Sequence, residues 1–179
     1  MLPDHQMDAI RFEEFCNDLL RPIAMPARVP LAVEVAHFAQ RVAPADAKRA
    51  RRSKVQTGYR WGPIWSTAWF RVRGTMPRAF AGERVLLRFS SGTEACVWVD
   101  GVPHAGLDPY HDTAPIAPLV WGDRARGRAG QRVDLWIEAA CNLPLGATTF
   151  WWDQPEVRAR WSERKPGRLE CAELVVLDE

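Results

Sequence analysis

The clearest structural signal in the sequence is the segment Thr93-Glu94-Ala95-Cys96-Val97-Trp98-Val99-Asp100-Gly101-Val102-Pro103. Its odd-numbered positions from 93 to 99 are small or β-branched, whereas its even-numbered positions carry Glu, Cys, Trp and Asp. A period of two residues is typical of a strand with one buried face. Asp-Gly is a hairpin-turn dipeptide, so the segment predicts a strand, a two-residue turn and a returning strand.

The same period of two recurs on both sides of this segment. Residues 68–73, 84–89 and 132–138 alternate in the same way, and residues 174–177 are apolar on both faces, as in a central strand. Turn dipeptides lie between these runs: Met76-Pro77, Ala81-Gly82, Ser91-Gly92, Ala105-Gly106 and Ala129-Gly130. No helical pattern separates the strands, so the sequence predicts an all-β fold, an antiparallel two-sheet sandwich.

The N-terminal region has a different pattern. Between residues 11 and 21, large apolar side chains recur at helical spacing: Phe12, Phe15, Leu19 and Leu20. This spacing predicts a short amphipathic helix with Asp8 as its N-cap and Pro22 at its end. Residues 31–35 alternate as an extended segment. We therefore expect residues 1–55 to form a helical and extended segment that packs on a sandwich of residues 56–179.

Composition narrows the classes of partner and the compartment. The net charge is only +2 in 179 residues, so neither nucleic acid nor a membrane is expected as a partner. The basic cluster at residues 48–54 is interpreted as a solvated helix end or loop, with polyanion contact as the alternative. The start lacks signal-peptide order, and the four cysteines (Cys16, Cys96, Cys141 and Cys171) are too far apart for a zinc motif, which indicates reduced thiols and a cytoplasmic protein.

Three tryptophans stand out because they fall in the polar phase of their strands. Trp69, Trp98 and Trp136 alternate with apolar residues and lie among charged neighbours, including Arg71, Arg73, Glu94, Asp100 and Asp134. One interpretation is that the N-terminal helix and loops cover this face, with a hydrogen-bond partner for each indole N–H. The other is that the face is a platform for a sugar ring or another domain.

The loop of residues 106–112 is the remaining place where reactive groups cluster. Asp108 and Asp112 could form a pair of glycosidase carboxylates, and together with His104 and His111 they could be imagined as a metal cluster. Such acids are common in turns, so a turn-stabilising or cleft-lining role is favoured. No phosphate loop, nucleophile elbow or zinc helix is present, and the chain is predicted to carry no catalytic set, metal site or cofactor.

Several segments together resemble a known family. Residues 61–72 begin Trp61-Gly62-Pro63-Ile64-Trp65, and residues 85–89, 94–108, 137–146 and 171–178 follow in order. In this combination they are similar to the N-terminal β-sandwich module of glycoside hydrolase family 38 α-mannosidases of the bacterial and cytosolic type. The resemblance implies a galactose-binding-like jelly roll that precedes a retaining catalytic barrel with a zinc ion and an aspartate nucleophile. Those catalytic groups would lie outside this chain.

Three hypotheses about function follow. The first is a non-catalytic domain that supports or shapes the catalytic domain of an α-mannosidase. The second is an independent module that binds mannose-containing glycans through Trp69, Trp98 or Trp136, with the loop that contains Asp108 and His111 as a rim. The third is an interaction module that docks a separate hydrolase chain.

Overall fold

Helical segments lie on both sides of the first strands of the sandwich. The computed structural model describes residues 4–116, 126–142 and 165–178. The chain begins with α1 (Asp4–Glu14), continues through a π-helical segment (Phe15–Leu20) and enters α2 (Arg21–Ala24) without a break. A third helix, α3 (Pro44–Arg49), comes later, and a 3-10 turn spans Arg78–Phe80. No helix in these described ranges is both long enough and apolar enough to cross a bilayer.

Strands dominate the described residues. They are β1 (Ala27–Pro30), β2 (Ala32–Phe38), β3 (Ser53–Val55), β4 (Arg60–Trp61), β5 (Thr67–Thr75), β6 (Val85–Ser90), β7 (Ala95–Val99), β8 (Val102–Leu107), β9 (Thr113–Pro115), β10 (Arg132–Ala140), β11 (Gly167–Arg168) and β12 (Cys171–Val176). The strands predicted at 68–73, 84–89, 93–100 and 132–138 correspond to β5, β6, β7 and β10.

The strands form two main sheets. One has the order β1-β12-β6-β9, the other the order β3-β2-β5-β10-β7-β8, and β11 pairs with β4 apart from both. All pairings are antiparallel. The inner faces enclose a core whose largest fully buried side chains include Phe70, Phe89, Leu87, Ile137 and Leu174. The predicted antiparallel sandwich is confirmed.

The hairpin predicted at Asp100-Gly101 is present between β7 and β8. Val99 pairs with Val102, and the two turn residues have φ angles of 51° and 85°. Two successive positive φ angles match the twist of antiparallel strands, and Asp-Gly is a dipeptide that adopts them readily. The turn predicted at Ala105-Gly106 is wrong, because both residues pair with β7 inside β8. Gly106 has no positive φ there and serves as an ordinary edge-strand residue.

The N-terminal helix differs from the prediction in extent and environment. Helical structure runs from Asp4 to Ala24, so Asp8 lies inside it and Pro22 does not end it. The N–H of Arg21 bonds to the carbonyl of Cys16, five residues back. Pro22 falls in the first turn of α2 after this shift of register, where the missing N–H of proline is not needed. The predicted apolar residues of this helix are exposed.

The division at residue 55 does not follow the sheets. Strand β1 pairs with β12 in the four-stranded sheet, and β2 pairs with both β3 and β5 in the six-stranded sheet. Residues 27–55 therefore supply integral strands of the sandwich. The sequence hid this because β1 is a short edge strand of four residues that ends in Pro30, and proline in a strand weakens the sequence signal.

Candidate functional site

The structure brings the three polar-phase tryptophans together on the outer face of the six-stranded sheet. Trp69 lies on β5, Trp136 on β10 and Trp98 on β7, which are neighbouring strands. Trp136 is directly opposite both Arg71 and Trp98 in the register. We call Trp69, Trp98, Trp136 and Arg71 the tryptophan face. It is the candidate site because the predicted stacking residues converge there.

Trp69 is the most enclosed member of the tryptophan face. Its side chain is 0% exposed, and its ring centroid lies 5.5 Å from that of Trp98 with planes tilted by 45°. Trp98 is partly buried. The indole N–H groups of both residues are buried and find no hydrogen-bond partner among the described residues. Trp69 therefore offers no open ring face to a sugar in this structure.

Two guanidinium groups lie over the ring of Trp136. The Cζ of Arg52 is 5.0 Å from its ring centroid, and the Cζ of Arg71 is 5.4 Å from it. Arg71 also donates two hydrogen bonds to Asp134, from Nε to Oδ1 at 2.8 Å and from Nη2 to Oδ2 at 2.5 Å. The bond to Asp134 holds the pKa of Arg71 above its ordinary value. A sugar that stacks on this ring would therefore compete with two cation–π contacts.

The segment that contains α3 covers the tryptophan face. Arg41, before α3, bonds from Nε to Oε1 of Glu138 at 2.9 Å, and Arg52, after it, stacks on Trp136. Glu138 and Trp136 both belong to the outer phase of β10, so residues 41–52 cross this face. Ala47 in α3 is 0% exposed.

This cover corrects the expectation that the N-terminal helix lies on the tryptophans. That helix is joined instead to the four-stranded sheet, through the ion pair of Arg21 with Asp112 at 3.0 Å. The contact depends on residues 91 positions apart, which no local pattern reveals.

The residues of the basic cluster at 48–54 differ in how far they are buried. Arg52 is partly buried and donates from Nη1 to the carbonyls of Lys48 and Ala50 at 2.9 Å and 3.0 Å. It also lies 3.6 Å from Glu34. Arg49, in contrast, has a side chain that is 82% exposed. The interpretation as a solvated helix end therefore holds for Arg49 and not for Arg52.

The loop that contains Asp108 and His111 is a self-contained turn. Asp108 accepts hydrogen bonds from the backbone N–H groups of Tyr110 and His111 at 2.7 Å and 2.8 Å, and its Oδ2 lies 3.0 Å from Nδ1 of His111. The side-chain bond to His111 is the main cause that lowers the pKa of Asp108. Asp100 is exposed in the β7–β8 turn. Among the described residues, no hydrogen bond joins Asp100, Asp108 or His111 to the tryptophan face.

Asp112 belongs to a second cluster that the sequence did not reveal. It is buried and accepts from Nε of Arg88 at 2.8 Å and from Nη1 of Arg21 at 3.0 Å, and Arg88 also bonds to Glu173 at 2.9 Å. Burial opposes the charge of Arg88, but the bonds to Asp112 and Glu173 outweigh it and raise its pKa. The sequence feature that indicates this cluster is the position of Arg88 in β6, where the alternation places its side chain on the outer face of the sheet. Two cations and two anions satisfy one another here, so the cluster joins helix to sheet.

Within residues 4–116, 126–142 and 165–178, no three His, Cys, Asp or Glu side chains are placed to hold a metal ion. His104, Asp108, His111 and Asp112 all lie within these ranges, and the structure does not gather them around one point.

The two antiparallel sheets and their packed core define a β-sandwich of the jelly-roll class. Residues 29–174 match the family described as "Alpha-mannosidase, jelly roll domain". The chain belongs to this family.

Curated relatives agree with this assignment. The chain is 35% identical to human alpha-mannosidase 2C1 over 133 residues, which cover 74% of this chain and 12% of that protein. It is 21% identical to alpha-mannosidase G of Dictyostelium discoideum over 156 residues, which cover 82% of this chain and 14% of that protein. The chain therefore spans only a small fraction of the length of these relatives.

Solved structures show the same fold at low identity. A β-glucuronidase from Ruminococcus gnavus aligns with 86% of this chain and 29% of its own length, with a TM-score of 0.50 and 12% identity. This likeness concerns the fold alone.

Proposed function

We propose that this chain is the non-catalytic N-terminal domain of an α-mannosidase of glycoside hydrolase family 38, which supports and shapes the catalytic domain in the same polypeptide. The observation that carries the proposal is the family match over residues 29–174. In this proposal, the substrate is an α-mannoside, and the zinc ion and the aspartate nucleophile belong to the catalytic domain. The enzyme is cytoplasmic.

The geometry of the charged side chains supports a structural role for this chain. A general acid or nucleophile must reach substrate, yet four carboxylates on β10 and in the 106–112 loop are engaged within the domain. Asp134 is held by Arg71, Glu138 by Arg41, and Asp112 by Arg88. Asp108 is engaged in its own turn. These groups rigidify the sheets, and a rigid sandwich is suited to carrying a neighbouring domain.

A chimera tests the proposal. Human alpha-mannosidase 2C1 is expressed intact, with its matching region deleted, and with that region replaced by this chain. We expect the deletion variant to lose most of its soluble activity toward 4-nitrophenyl α-mannoside. The deletion would expose to water the surface of the catalytic domain that this region covers. Replacement by this chain is expected to restore activity. A replacement no better than the deletion would contradict the proposal.

The isolated chain provides a second test of the proposed function. We expect it to fold, to bind no zinc by metal analysis and to release no 4-nitrophenol, with or without added zinc. Calorimetric titration with methyl α-mannoside should be flat, because Trp69 is buried and Arg52 and Arg71 lie over the ring of Trp136. Saturable heat that is lost in a Trp98→Ala variant would instead favour a glycan-binding module. Turnover by the purified chain would exclude a non-catalytic role.

A further inference from the structure

Among the described residues, seven of the ten exposed large hydrophobic side chains belong to the N-terminal helix. Every residue from Met7 to Phe15 is exposed, and between Phe15 and Ala24 only Cys16, Arg21 and Ala24 are partly buried. Seven large apolar side chains of this helix are between 38% and 68% exposed: Met7, Ile10, Phe12, Phe15, Leu19, Leu20 and Ile23. A surface of this kind marks an interaction site.

Several of these side chains form a continuous stripe because of the π-helical segment. Residues three apart are neighbours on an α-helix, whereas residues five apart are neighbours across a π turn. Phe12 is therefore next to Phe15, Phe15 next to Leu20, and Leu20 next to Ile23. We call Phe12, Phe15, Leu20 and Ile23 the apolar stripe. A regular α-helix would rotate Leu20 away from Phe15, so the π segment keeps the stripe on one side.

The two ends of the sandwich meet at the base of this helix. The backbone N–H of Asp178 donates to the carbonyl of Ala24 at 2.9 Å. Just before these residues, β12 and β1 are paired antiparallel, with Val176 opposite Ala27. Asp178 therefore lies beside the C-terminal end of the helix. In the curated relatives, the matched region is only 12% to 14% of the protein.

We propose that the apolar stripe docks against the catalytic domain of the same α-mannosidase polypeptide. This inference rests on the proposed function. The helix also sets the chemistry of the opposing surface. Residues 7–20 hold four carboxylates, on Asp8, Glu13, Glu14 and Asp18, against one guanidinium, on Arg11. The complementary surface is an apolar groove with a basic rim. The Arg21–Asp112 ion pair at 3.0 Å fixes the base of the helix to the sandwich.

Hydrogen exchange on the chimera and on the isolated chain tests this inference. In the isolated chain, the amides of residues 7–20 should exchange rapidly, because little packing opposes opening of the helix. In the chimera, they should exchange at least about tenfold more slowly, since docking must be broken before the helix opens. The β10 amides in the sheet serve as the internal reference and should exchange alike in both proteins.

Charged substitutions in the stripe provide the matched variants. Phe12→Glu combined with Leu20→Glu should leave the Tm of the isolated chain unchanged, because both side chains are exposed there. In the chimera, the same pair should lower the Tm and remove the extra protection of residues 7–20. Val102→Glu with Tyr110→Glu is the control: both are exposed apolar residues on other elements, and this pair should lower neither the Tm of the chimera nor the protection of its helix.

The outcomes separate this inference from the proposed function. An active chimera whose helix exchanges as fast as in the isolated chain overturns the inference and leaves the proposed function standing. A chimera that is as inactive as the deletion contradicts both. Dimers of the isolated chain that dissociate in the Phe12→Glu and Leu20→Glu variant would show that a second copy occupies the stripe, and would also overturn the inference.

Discussion

Arg52 stacks on Trp136, with its Cζ 5.0 Å from the ring centroid. The same guanidinium donates from Nη1 to the carbonyls of Lys48 and Ala50. It therefore links the end of α3 to the outer face of the six-stranded sheet. At the same end of the segment, the backbone of Ser53 pairs with Val35 of β2, so Arg52 adds a side-chain contact to a segment that the sheet already holds at this point.

Removal of the Arg52 side chain should destabilise the protein. We expect Arg52→Ala to lower the free energy of unfolding by about 1–3 kcal/mol, because a cation–π contact and two carbonyl bonds are lost together. Arg52→Lys should recover only part of this, since one ammonium cannot stack and bond both carbonyls at once. Urea denaturation followed by tryptophan fluorescence measures both variants.

Arg49→Ala is the matched control for this prediction. Arg49 is in the same basic cluster, but its side chain is 82% exposed and lies 3.9 Å from Asp46. Exposed pairs of this kind contribute between zero and about 1 kcal/mol. Equal losses in Arg49→Ala and Arg52→Ala would show that Arg52 has no special role in covering the tryptophans.

The two arginine–aspartate pairs of the outer faces should differ in their contributions. Asp112 has 9% of its side chain exposed and binds both Arg88 and Arg21, whereas Asp134 has 43% exposed and binds Arg71. We expect Asp112→Asn to lower the free energy of unfolding by about 2–4 kcal/mol, because Arg88 loses a buried anion. Asp134→Asn should lower it by at most about 1 kcal/mol. Thermal and urea unfolding of the two variants would contradict this if the order were reversed.

The β7–β8 hairpin allows a paired test of glycine conformation. Gly101 has a φ of 85°, and Gly106 lies in β8 with open space around its Cβ position. Gly101→Ala should lower the free energy of unfolding by about 1–2 kcal/mol, because alanine is disfavoured at positive φ. Gly106→Ala should change it by less than about 0.5 kcal/mol. A neutral Gly101→Ala would mean that the turn can change its type without loss.

The sequence predicts the parts of this fold that depend on local patterns. The alternation of Val97 with Trp98 shows a strand and its two faces, and Asp100-Gly101 shows its turn, because both signals lie within a few residues. The pairing of Ala27 with Val176 and the bond of Arg21 to Asp112 depend on residues that are remote in sequence. No periodicity encodes such contacts.

The candidate site divides in the same way. The phase of the strands was sufficient to predict that Trp69, Trp98 and Trp136 share one face. What covers that face depends on how the segment that contains α3 packs on β10, and this packing is a contact between residues remote in sequence. Charge alone favours a solvated end for the basic residues 48–54, and charge does not show that the guanidinium of Arg52 lies over an indole ring.

The Cys171 thiol should make stability fall at alkaline pH. Burial raises the pKa of this thiol from 9.0 to about 11. The carboxylates of Asp112 and Glu173 act in the same direction, whereas the positive charge of Arg88 lowers the pKa in part. Below pH 9, the thiol is protonated in both folded and unfolded chains. Between about pH 9 and pH 11, the unfolded chain loses this proton while the folded chain keeps it, so the free energy of unfolding decreases as pH rises.

Replacement of this thiol should therefore flatten the alkaline limb of the stability profile. In urea titrations at several pH values from 8 to 11, we expect Cys171→Ala to lose less stability with rising pH than the unmodified chain, whatever its stability at neutral pH. Thiol labelling of Cys171 should likewise be slower in the folded chain than in the urea-unfolded chain, because thiolate is the reactive form. Identical slopes in the two proteins would show that Cys171 ionises equally in the folded and unfolded chains.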